Sequence, residues 1–303
     1  MIQTVGLTKR FGDFTAVRGL DLSVGEGELL ALLGPNGAGK TTTVRMLAAI
    51  LKPSEGYATV AGHDVVRHAQ QVRHAVGLLT EFQGLYLRMK ALEYLDFFGE
   101  LQDMPPRVRR DRSEHLLQRF ELWDARDKRL GEYSKGMRQK LALIRAMLHG
   151  PAVLFLDEPT SAMDPHSAKL VRDCIAELQS DGRTVIMCTH NLNEAELLAD
   201  RIAIIRRGEI IALGTPHQLK ASLLGNPLLE LRFAGPLDGL WPVVHDAVQV
   251  ESVGVDWVRY RTAQPLVTNP MLVARLVQSG AQMVTLSEVP RSLEEVYLKI
   301  VSD

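Results

Sequence analysis

The chain has 303 residues, of which 46% are hydrophobic and 23% are charged. This is the composition of an ordinary globular protein with enough length for about two domains, and it excludes disordered, collagen-like and simple coiled-coil chains. The 35 Lys and Arg residues nearly cancel the 36 Asp and Glu residues, which leaves a formal net charge of -1 at pH 7. No global positive field would therefore draw the chain to nucleic acid or anionic lipid.

No segment of the sequence approaches the ~20 apolar residues that span a bilayer, because the most apolar stretch, residues 141–156, contains two basic residues and a proline. Residues 1–14 show no signal-peptide pattern. Cys174 and Cys188 lack CxxC spacing, which favours a reducing compartment. We predict that both are packing residues.

The chain begins with two predicted antiparallel strands, over residues 2–11 and 15–24, joined by a Gly12-Asp13 turn. Short apolar runs that end at polar or Gly-rich residues then indicate strands buried on both faces. Helical patterns alternate with these runs. This alternation predicts an α/β fold in which helices cover a mostly parallel sheet. The predicted strands are residues 29–33, 153–156, 185–188 and 202–205, and the predicted helices are 41–51, 137–148, 167–178 and 192–198.

Two further regions differ from this pattern. Residues 82–150 lack strand signals and have apolar residues at helical spacing, which predicts a helical insertion. The basic run 107–112 within it is typical of a solvated helix face, with contact to acidic lipid or RNA as the alternative. A small α+β appendage is predicted from strand patterns at 228–233, 248–258 and 283–289 and helical patterns at 270–278 and 292–301. The predicted domains are residues 1–226 and 227–303.

A phosphate-binding motif follows the first buried strand and precedes a helix. It matches GxxxxGK(S/T) in full. Main-chain N–H groups of such a loop and of the first helical turn converge on phosphate oxygens. Lys40 would reach the β- and γ-phosphates, and the Thr41 hydroxyl would bind Mg²⁺. The predicted nucleotide-binding residues here are Gly34, Pro35, Asn36, Gly37, Ala38, Gly39, Lys40, Thr41 and Thr42.

Two adjacent carboxylates, Asp157 and Glu158, directly follow the strand predicted at 153–156. A carboxylate at this position lies beside the phosphate loop in an open α/β sheet, so Asp157 is a candidate Mg²⁺ ligand. Glu158 would point in a different direction and could orient the attacking water. Together with the phosphate loop, this pair predicts hydrolysis of a nucleoside triphosphate.

The motifs of this chain occur in a characteristic order. The phosphate loop is followed by the segment 133–139 (YSKGMRQ), the segment 156–160 (LDEPT), which contains the two carboxylates, the segment 161–164 (SAMD) and Thr189-His190. Over about residues 2–219, the chain resembles the ATP-binding subunit of an ABC transporter. It looks most like the ATPase subunits of bacterial exporters for drugs, sodium or polymers, judged by Gly84-Leu-Tyr86, the Lys-Gly-Met signature and the ending SLEEVY at 292–297.

The resemblance implies roles for further residues. Phe11 would stack on adenine, His190 would contact the γ-phosphate, and the segment 161–164 would contact the site of a second ATPase subunit. The signature residues would bind the ATP held by that second subunit, and they are Ser134, Lys135, Gly136 and Met137. Two departures from the family pattern stand out. Glu81 occupies the usual place of a glutamine that touches Mg²⁺ or water, with Gln83 as an alternative, and because a carboxylate can also bind Mg²⁺, Glu81 is a third predicted metal ligand. Lys135 replaces a glycine.

The resemblance also implies the setting. The cofactors would be ATP and Mg²⁺, and the partners would be ABC permease subunits and a second ATPase subunit, in a homodimer or heterodimer, with no nucleic acid. Closure of the ATPase dimer would power an exporter from the cytoplasmic face of the membrane, where the chain would be peripheral. The alternatives are an importer ATPase, a soluble ABC ATPase of translation or DNA repair, and a non-hydrolysing regulator gated by nucleotide.

Overall fold

The computed structural model describes residues 1–80, 82–161, 163–237, 239–295 and 297. The chain divides into two compact units, Met1–Pro216 and His217–Asp303. In chain order, the first unit contains β1 (Ile2–Phe11), β2 (Phe14–Val24), β3 (Leu29–Leu33), α1 (Lys40–Leu47), β4 (Glu55–Val60), β5 (His63–Asp64), α2 (Ala69–Ala75), β6 (Val76–Leu79), α3 (Ala91–Leu101), α4 (Pro106–Arg119), α5 (Lys135–Met147), β7 (Val153–Asp157), α6 (Pro165–Ser180), β8 (Thr184–Thr189), α7 (Leu192–Leu198), β9 (Arg201–Arg206) and β10 (Glu209–Gly214).

The central sheet of the first unit has the strand order β10-β9-β3-β8-β7-β6. Its neighbouring strands are parallel, except for the antiparallel pair of β9 and β10. Every residue of β3, β7 and β8 is buried, as expected for strands covered on both faces. Because the strands are parallel, β3, β7 and β8 end at the same edge of the sheet. The loops that follow them therefore lie close together.

A second sheet is antiparallel, with the order β2-β1-β4-β5. Its apolar side chains join one core with those of the central sheet, including Leu20 of β2 and Leu32 of β3. Over the described part of 82–150, the regular elements are α3, α4, α5 and two short 3-10 turns, and the extended pairing is the isolated bridge between Lys90 and Arg129. The predicted α/β class, with antiparallel amino-terminal strands and a helical insertion, is confirmed.

Helix α8 (Pro216–Leu224) begins at the boundary between the units, whereas the predicted boundary at 226 follows this helix. The second unit continues with β11 (Leu228–Phe233), α9 (Trp241–His245), β12 (Gln249–Val253), β13 (Trp257–Arg261), α10 (Pro265–Gln278) and β14 (Met283–Glu288). Its sheet has the order β12-β13-β11-β14 and is antiparallel throughout. This βαββαβ arrangement is the ferredoxin-like split βαβ motif, so the predicted α+β appendage is confirmed.

Some predicted boundaries are wrong for local reasons. Helix α1 ends at Leu47 instead of residue 51, because Ala49 takes a left-handed conformation with φ 53° that ends the helix. Helix α10 begins at Pro265, and Pro270, predicted to start it, lies inside. The missing N–H of Pro270 is tolerated because the carbonyl that would accept it belongs to the exposed Leu266. The predicted helix at 292–301 falls largely outside the described residues.

Both cysteines are packing residues, as predicted. Cys174 lies on α6 and Cys188 on β8, and both are buried. Burial raises the pKa of the Cys174 thiol to about 11 and that of Cys188 well above its ordinary value. Among the helices of the described ranges, none combines the length and the apolar character that crossing a membrane requires.

Candidate nucleotide-binding site

The phosphate loop connects the end of β3 to the first turn of α1. Gly39, just before the helix, has φ 109°, and a Cβ atom there would lie 2.6 Å from the carbonyl oxygen of Ala16 on β2. Only glycine fits both constraints. A turn closed by a 3.1 Å hydrogen bond from Ala38 N to Pro35 O shapes the loop. The first N–H groups of α1 lack partners within the helix, and they face a site suited to an anion.

Lys40 extends its side chain back along this loop. Its Nζ donates hydrogen bonds to the carbonyl oxygens of Gly34 at 2.6 Å and Pro35 at 3.1 Å. The residue is buried, and these bonds hold its ammonium group beside the phosphate loop. A cation beside the N–H groups of a helix start is the arrangement that binds phosphate.

Thr41 and Asp157 bring together the start of α1 and the end of β7. The Thr41 hydroxyl donates to Oδ2 of Asp157 over 2.8 Å. A hydroxyl and a carboxylate are the hard oxygen donors that Mg²⁺ prefers, and Mg²⁺ commonly takes one or two protein ligands while phosphates and water complete its coordination. This donor set fits Mg²⁺. Within the described residues, no group of three or more His, Cys, Asp or Glu side chains could hold a metal ion. Glu81, the third predicted metal ligand, lies outside them.

Glu158 and His190 form the second pair. Nδ1 of His190 lies 2.8 Å from Oε1 of Glu158. The Glu158 backbone is left-handed, with φ 52°, and its N–H donates to the carbonyl oxygen of Cys188 on β8 at 2.9 Å. Such a conformation is uncommon outside glycine and is found at functional sites where the surroundings enforce it. The two adjacent carboxylates thus have different partners, because Asp157 pairs with Thr41 and Glu158 with His190.

One cleft contains most of the predicted site residues. Across the amino-terminal hairpin, Phe11 pairs with Phe14, and the two residues are 50% and 63% exposed. Phe14 was not predicted, although the two-residue turn between these rings would have indicated that they are neighbours. Ala16 and Ser161 also line the cleft beyond the prediction. The predicted residues that line it are Phe11, Asn36, Gly37, Ala38, Gly39, Lys40, Thr41, Thr42, Asp157, Glu158 and His190.

The signature residues stand apart from this cleft. Ser134 caps helix α5, and its hydroxyl oxygen accepts a 3.2 Å hydrogen bond from Met137 N. Ser134 and Lys135 are exposed, and Gly136 and Met137 are half-buried. None of the four lines the cleft of the same chain. The first turn of α5 contains no acidic residue, so its N–H groups and Lys135 present positive potential to solvent.

Comparison with known proteins identifies the family. The ABC transporter family model matches residues 17–161. A daunorubicin resistance ATP-binding protein of Streptomyces coeruleorubidus is 39% identical over 304 residues, covering 98% of this chain and 95% of the relative. The chain belongs to the ATP-binding subunits of ABC transporters. It is an ABC ATPase, as the motif order predicts.

Two further matches extend this result. A Nod factor export ATP-binding protein I of Rhizobium sp. (strain N33) is 35% identical over 299 residues, covering 99% of this chain and 96% of the relative. A dimeric ATP-binding cassette, solved in a post-hydrolysis state bound to ADP and Pi, aligns with a TM-score of 0.66 and 25% identity, covering 71% of this chain and 98% of that chain. The relatives of this ABC ATPase thus include export proteins.

Proposed function

We propose that this ABC ATPase binds and hydrolyses Mg-ATP in the cleft at the carboxyl ends of β3, β7 and β8, and that two such subunits close on ATP to power a separate export permease. The observation that carries the proposal is the convergence of three groups in one cleft: the phosphate loop, the Thr41–Asp157 pair and the Glu158–His190 pair. Each supplies a different requirement of phosphoryl transfer to water.

Each group of residues in the cleft has its own role in binding or hydrolysis. Loop N–H groups and Lys40 bind the phosphates, and Phe11 and Phe14 contact the adenine ring. Thr41 and Asp157 hold Mg²⁺, which when bound neutralises charge on the phosphates. Glu158 accepts a hydrogen bond from the attacking water and orients it toward the γ-phosphate, and His190 holds the Glu158 carboxylate through the 2.8 Å contact.

The signature residues act on the neighbouring subunit. Ser134, Lys135, Gly136 and Met137 lie outside the cleft of their own chain, and the start of α5 provides N–H groups and a cation for an anion. In a head-to-tail dimer this surface binds the ATP of the partner subunit. ATP binding and dimerisation are then coupled, and each raises the affinity of the other.

A surface of the first unit suits the permease. A groove beside α3 and α5 is lined by apolar atoms of Ile50, Leu78 and Phe98 and by the basic side chains of Arg73 and Arg145. Exposed apolar residues lie on α3 and on the segment before it, including Tyr86, Leu87, Phe97 and Leu101. An apolar cytoplasmic segment of a membrane protein that carries a carboxylate would fit this groove. The proposal places the chain at the inner face of the membrane, bound through its permease.

We propose export because the relatives described above are named for daunorubicin resistance and Nod factor export. Nothing in the cleft selects a transported substrate, because its residues serve ATP. The transported molecule is therefore expected to bind the permease.

The variant Glu158→Gln tests the proposal. We expect ATP hydrolysis to fall about 10²- to 10⁴-fold, because the water loses its orienting base, while Mg-ATP binding persists and a dimer accumulates. Light scattering coupled to gel filtration measures the dimer, and phosphate release measures hydrolysis. Glu26→Gln, at an exposed site between β2 and β3, is the matched control. If the Glu158→Gln variant stays monomeric with Mg-ATP, dimer closure is contradicted. If the variant hydrolyses ATP at the wild-type rate, the role of Glu158 is contradicted.

A further inference from the structure

A buried amide connects helix α5 to the backbone of Glu158. Gln139 lies two residues after Met137, the last of the four signature residues, and it is 2% exposed. Its Nε2 donates to the carbonyl oxygen of Glu158 at 3.1 Å, with Pro159 O at 3.5 Å. Its Oε1 accepts a 2.7 Å hydrogen bond from Nε2 of Gln83. Both ends of the amide are therefore used, and a carbonyl acceptor requires that the NH₂ end faces Glu158.

The bond to the Glu158 carbonyl matters because of the conformation of that residue. Glu158 is left-handed, with φ 52°, a region that non-glycine residues occupy only when their surroundings hold them there. On its amino side, the N–H of Glu158 is tied to Cys188 O at 2.9 Å. On its carbonyl side, the oxygen of Glu158 accepts hydrogen bonds from the Gln139 side chain at 3.1 Å and from Ser161 N at 3.2 Å, so Gln139 provides the side-chain contact. Together these bonds orient the two peptide groups that flank the Cα atom of Glu158, and hence the direction in which the carboxylate leaves the chain.

Gln83, the residue that orients the Gln139 amide, is itself held by residues of the helical insertion. Nη1 of Arg145 donates to the carbonyl oxygen of Gln83 at 3.0 Å and to the hydroxyl of Tyr94 at 2.7 Å. Its guanidinium lies 5.3 Å from the ring centroid of Phe98. Tyr94 and Phe98 belong to α3, and Arg145 and Phe98 line the groove described above. A continuous set of contacts thus runs from this groove through Gln83 and Gln139 to Glu158.

We propose that Gln139 is a positioning residue for ATP hydrolysis, which holds the Glu158 backbone in its left-handed conformation and connects it to the helical insertion through Gln83 and Arg145. The inference rests on the proposed role of Glu158. Gln139 touches neither nucleotide nor water in this scheme. Its effect appears in the rate of the chemical step and not in the affinity for ATP.

The variant Gln139→Met tests this, because methionine has a similar volume and removes both hydrogen-bonding ends. We expect kcat to fall about 10- to 100-fold, the size of effect that a misplaced catalytic group produces, with KM and the dissociation constant of Mg-ATP within about threefold of wild type. Gln83→Met removes the bond that orients the Gln139 amide and is expected to lower kcat less. Gln118→Met, on the exposed face of α4, controls for the substitution itself.

A double-mutant cycle separates positioning from general destabilisation. In a Glu158→Gln background, Gln139→Met is expected to lower the residual rate no further, because the group that it positions is already gone. An equal loss in both backgrounds, an unchanged kcat for Gln139→Met, or a loss that appears entirely in ATP affinity would overturn the proposal. Full activity of Glu158→Gln alone would instead overturn the proposed function. Melting temperatures of the variants identify any that fail to fold, and the milder Gln83→Met keeps the test decisive in that case.

Discussion

The hydroxyl of Thr41 donates a 2.8 Å hydrogen bond to Oδ2 of Asp157. This bond joins the first turn of α1 to the last residue of β7, and β8 separates β7 from β3, the strand that precedes α1. Both residues line the cleft, and a hydroxyl and a carboxylate oxygen are hard donors of the kind that Mg²⁺ prefers. We therefore expect both residues to bind Mg²⁺, and the affinity of the protein for Mg²⁺ tests this.

Replacing the hydroxyl with a methyl group in Thr41→Val is expected to weaken Mg²⁺ binding in the presence of ATP by about 10- to 100-fold, the usual cost of disturbing a metal site. Hydrolysis should need correspondingly more Mg²⁺. Titration of the rate with Mg²⁺ at fixed ATP measures this, and Thr41→Ser, which keeps the hydroxyl, should behave like wild type. An unchanged Mg²⁺ requirement in Thr41→Val would rule out this ligand.

The exposed ring of Phe14 faces the same cleft as Phe11. We expect Phe14→Ala to weaken binding of both ATP and ADP by about 5- to 100-fold, because stacking of a base on an aromatic ring contributes about 1–3 kcal/mol. Inorganic triphosphate, which has no base, should bind equally well to wild type and variant. Calorimetry with the three ligands makes the comparison, and Phe97→Ala, an exposed aromatic residue on α3, is the control. Weaker triphosphate binding would show that the loop itself was disturbed.

Glu194 in the first turn of α7 gives a prediction about pH. Burial raises the pKa of the Glu194 carboxyl, and hydrogen bonds from Thr160 and Thr189 offset only part of this effect. The folded state thus favours the protonated form, and the associated stability is complete below the ordinary pKa of glutamic acid and is lost as the pH rises through the raised pKa. Glu194→Gln should therefore melt at a higher temperature than wild type at about pH 7.5, and the difference should close toward about pH 4.

Melting curves across this pH range measure the effect. The control is Asp173→Asn, which removes a carboxylate at an exposed position on α6. If the advantage of Glu194→Gln were the same at every pH, burial of an ionised carboxylate would not be its cause.

Some elements of the fold can be predicted from the sequence more accurately than others, depending on how completely they are buried. The sequence predicts strand β3 with its observed bounds, because all five of its residues are buried and apolar. It does not predict strand β10, which lies at the sheet edge with alternating exposure. The single strand predicted at 248–258 is two strands, β12 and β13, separated by a turn in which Gly254 N donates to Trp257 O at 2.9 Å.

The same contrast holds within the site. The phosphate loop, Asp157 and Glu158 follow from motifs whose chemistry is local in sequence. The partners of Gln139 could not be predicted, because its contacts with Gln83 and Glu158 depend on how α5 lies beside the end of β7. A motif identifies which residues react, whereas the residues that hold them in place become visible only with the packing.

The second unit gives a stability prediction. Leu231 of β11 is completely buried in the core of that unit, and Leu231→Ala should lower its free energy of unfolding by about 2–5 kcal/mol. Leu266 on α10 is 90% exposed, so Leu266→Ala should change it by less than about 0.5 kcal/mol. Urea denaturation followed by tryptophan fluorescence measures the two variants in a Trp123→Phe background, where the remaining tryptophans, Trp241 and Trp257, both lie in this unit. Equal effects would mean that β11 is not part of the core.

The burial of Cys174 and Cys188 has a practical value. A thiol with a raised pKa and almost no solvent access carries little thiolate at neutral pH, and thiolate is the form that reacts with maleimides and similar reagents. The native chain can therefore be labelled at one introduced cysteine, such as Leu197→Cys on the exposed side of α7, with both native cysteines left in place. Paired fluorophores or spin labels attached there would report the distance between two copies during each cycle of nucleotide binding and release.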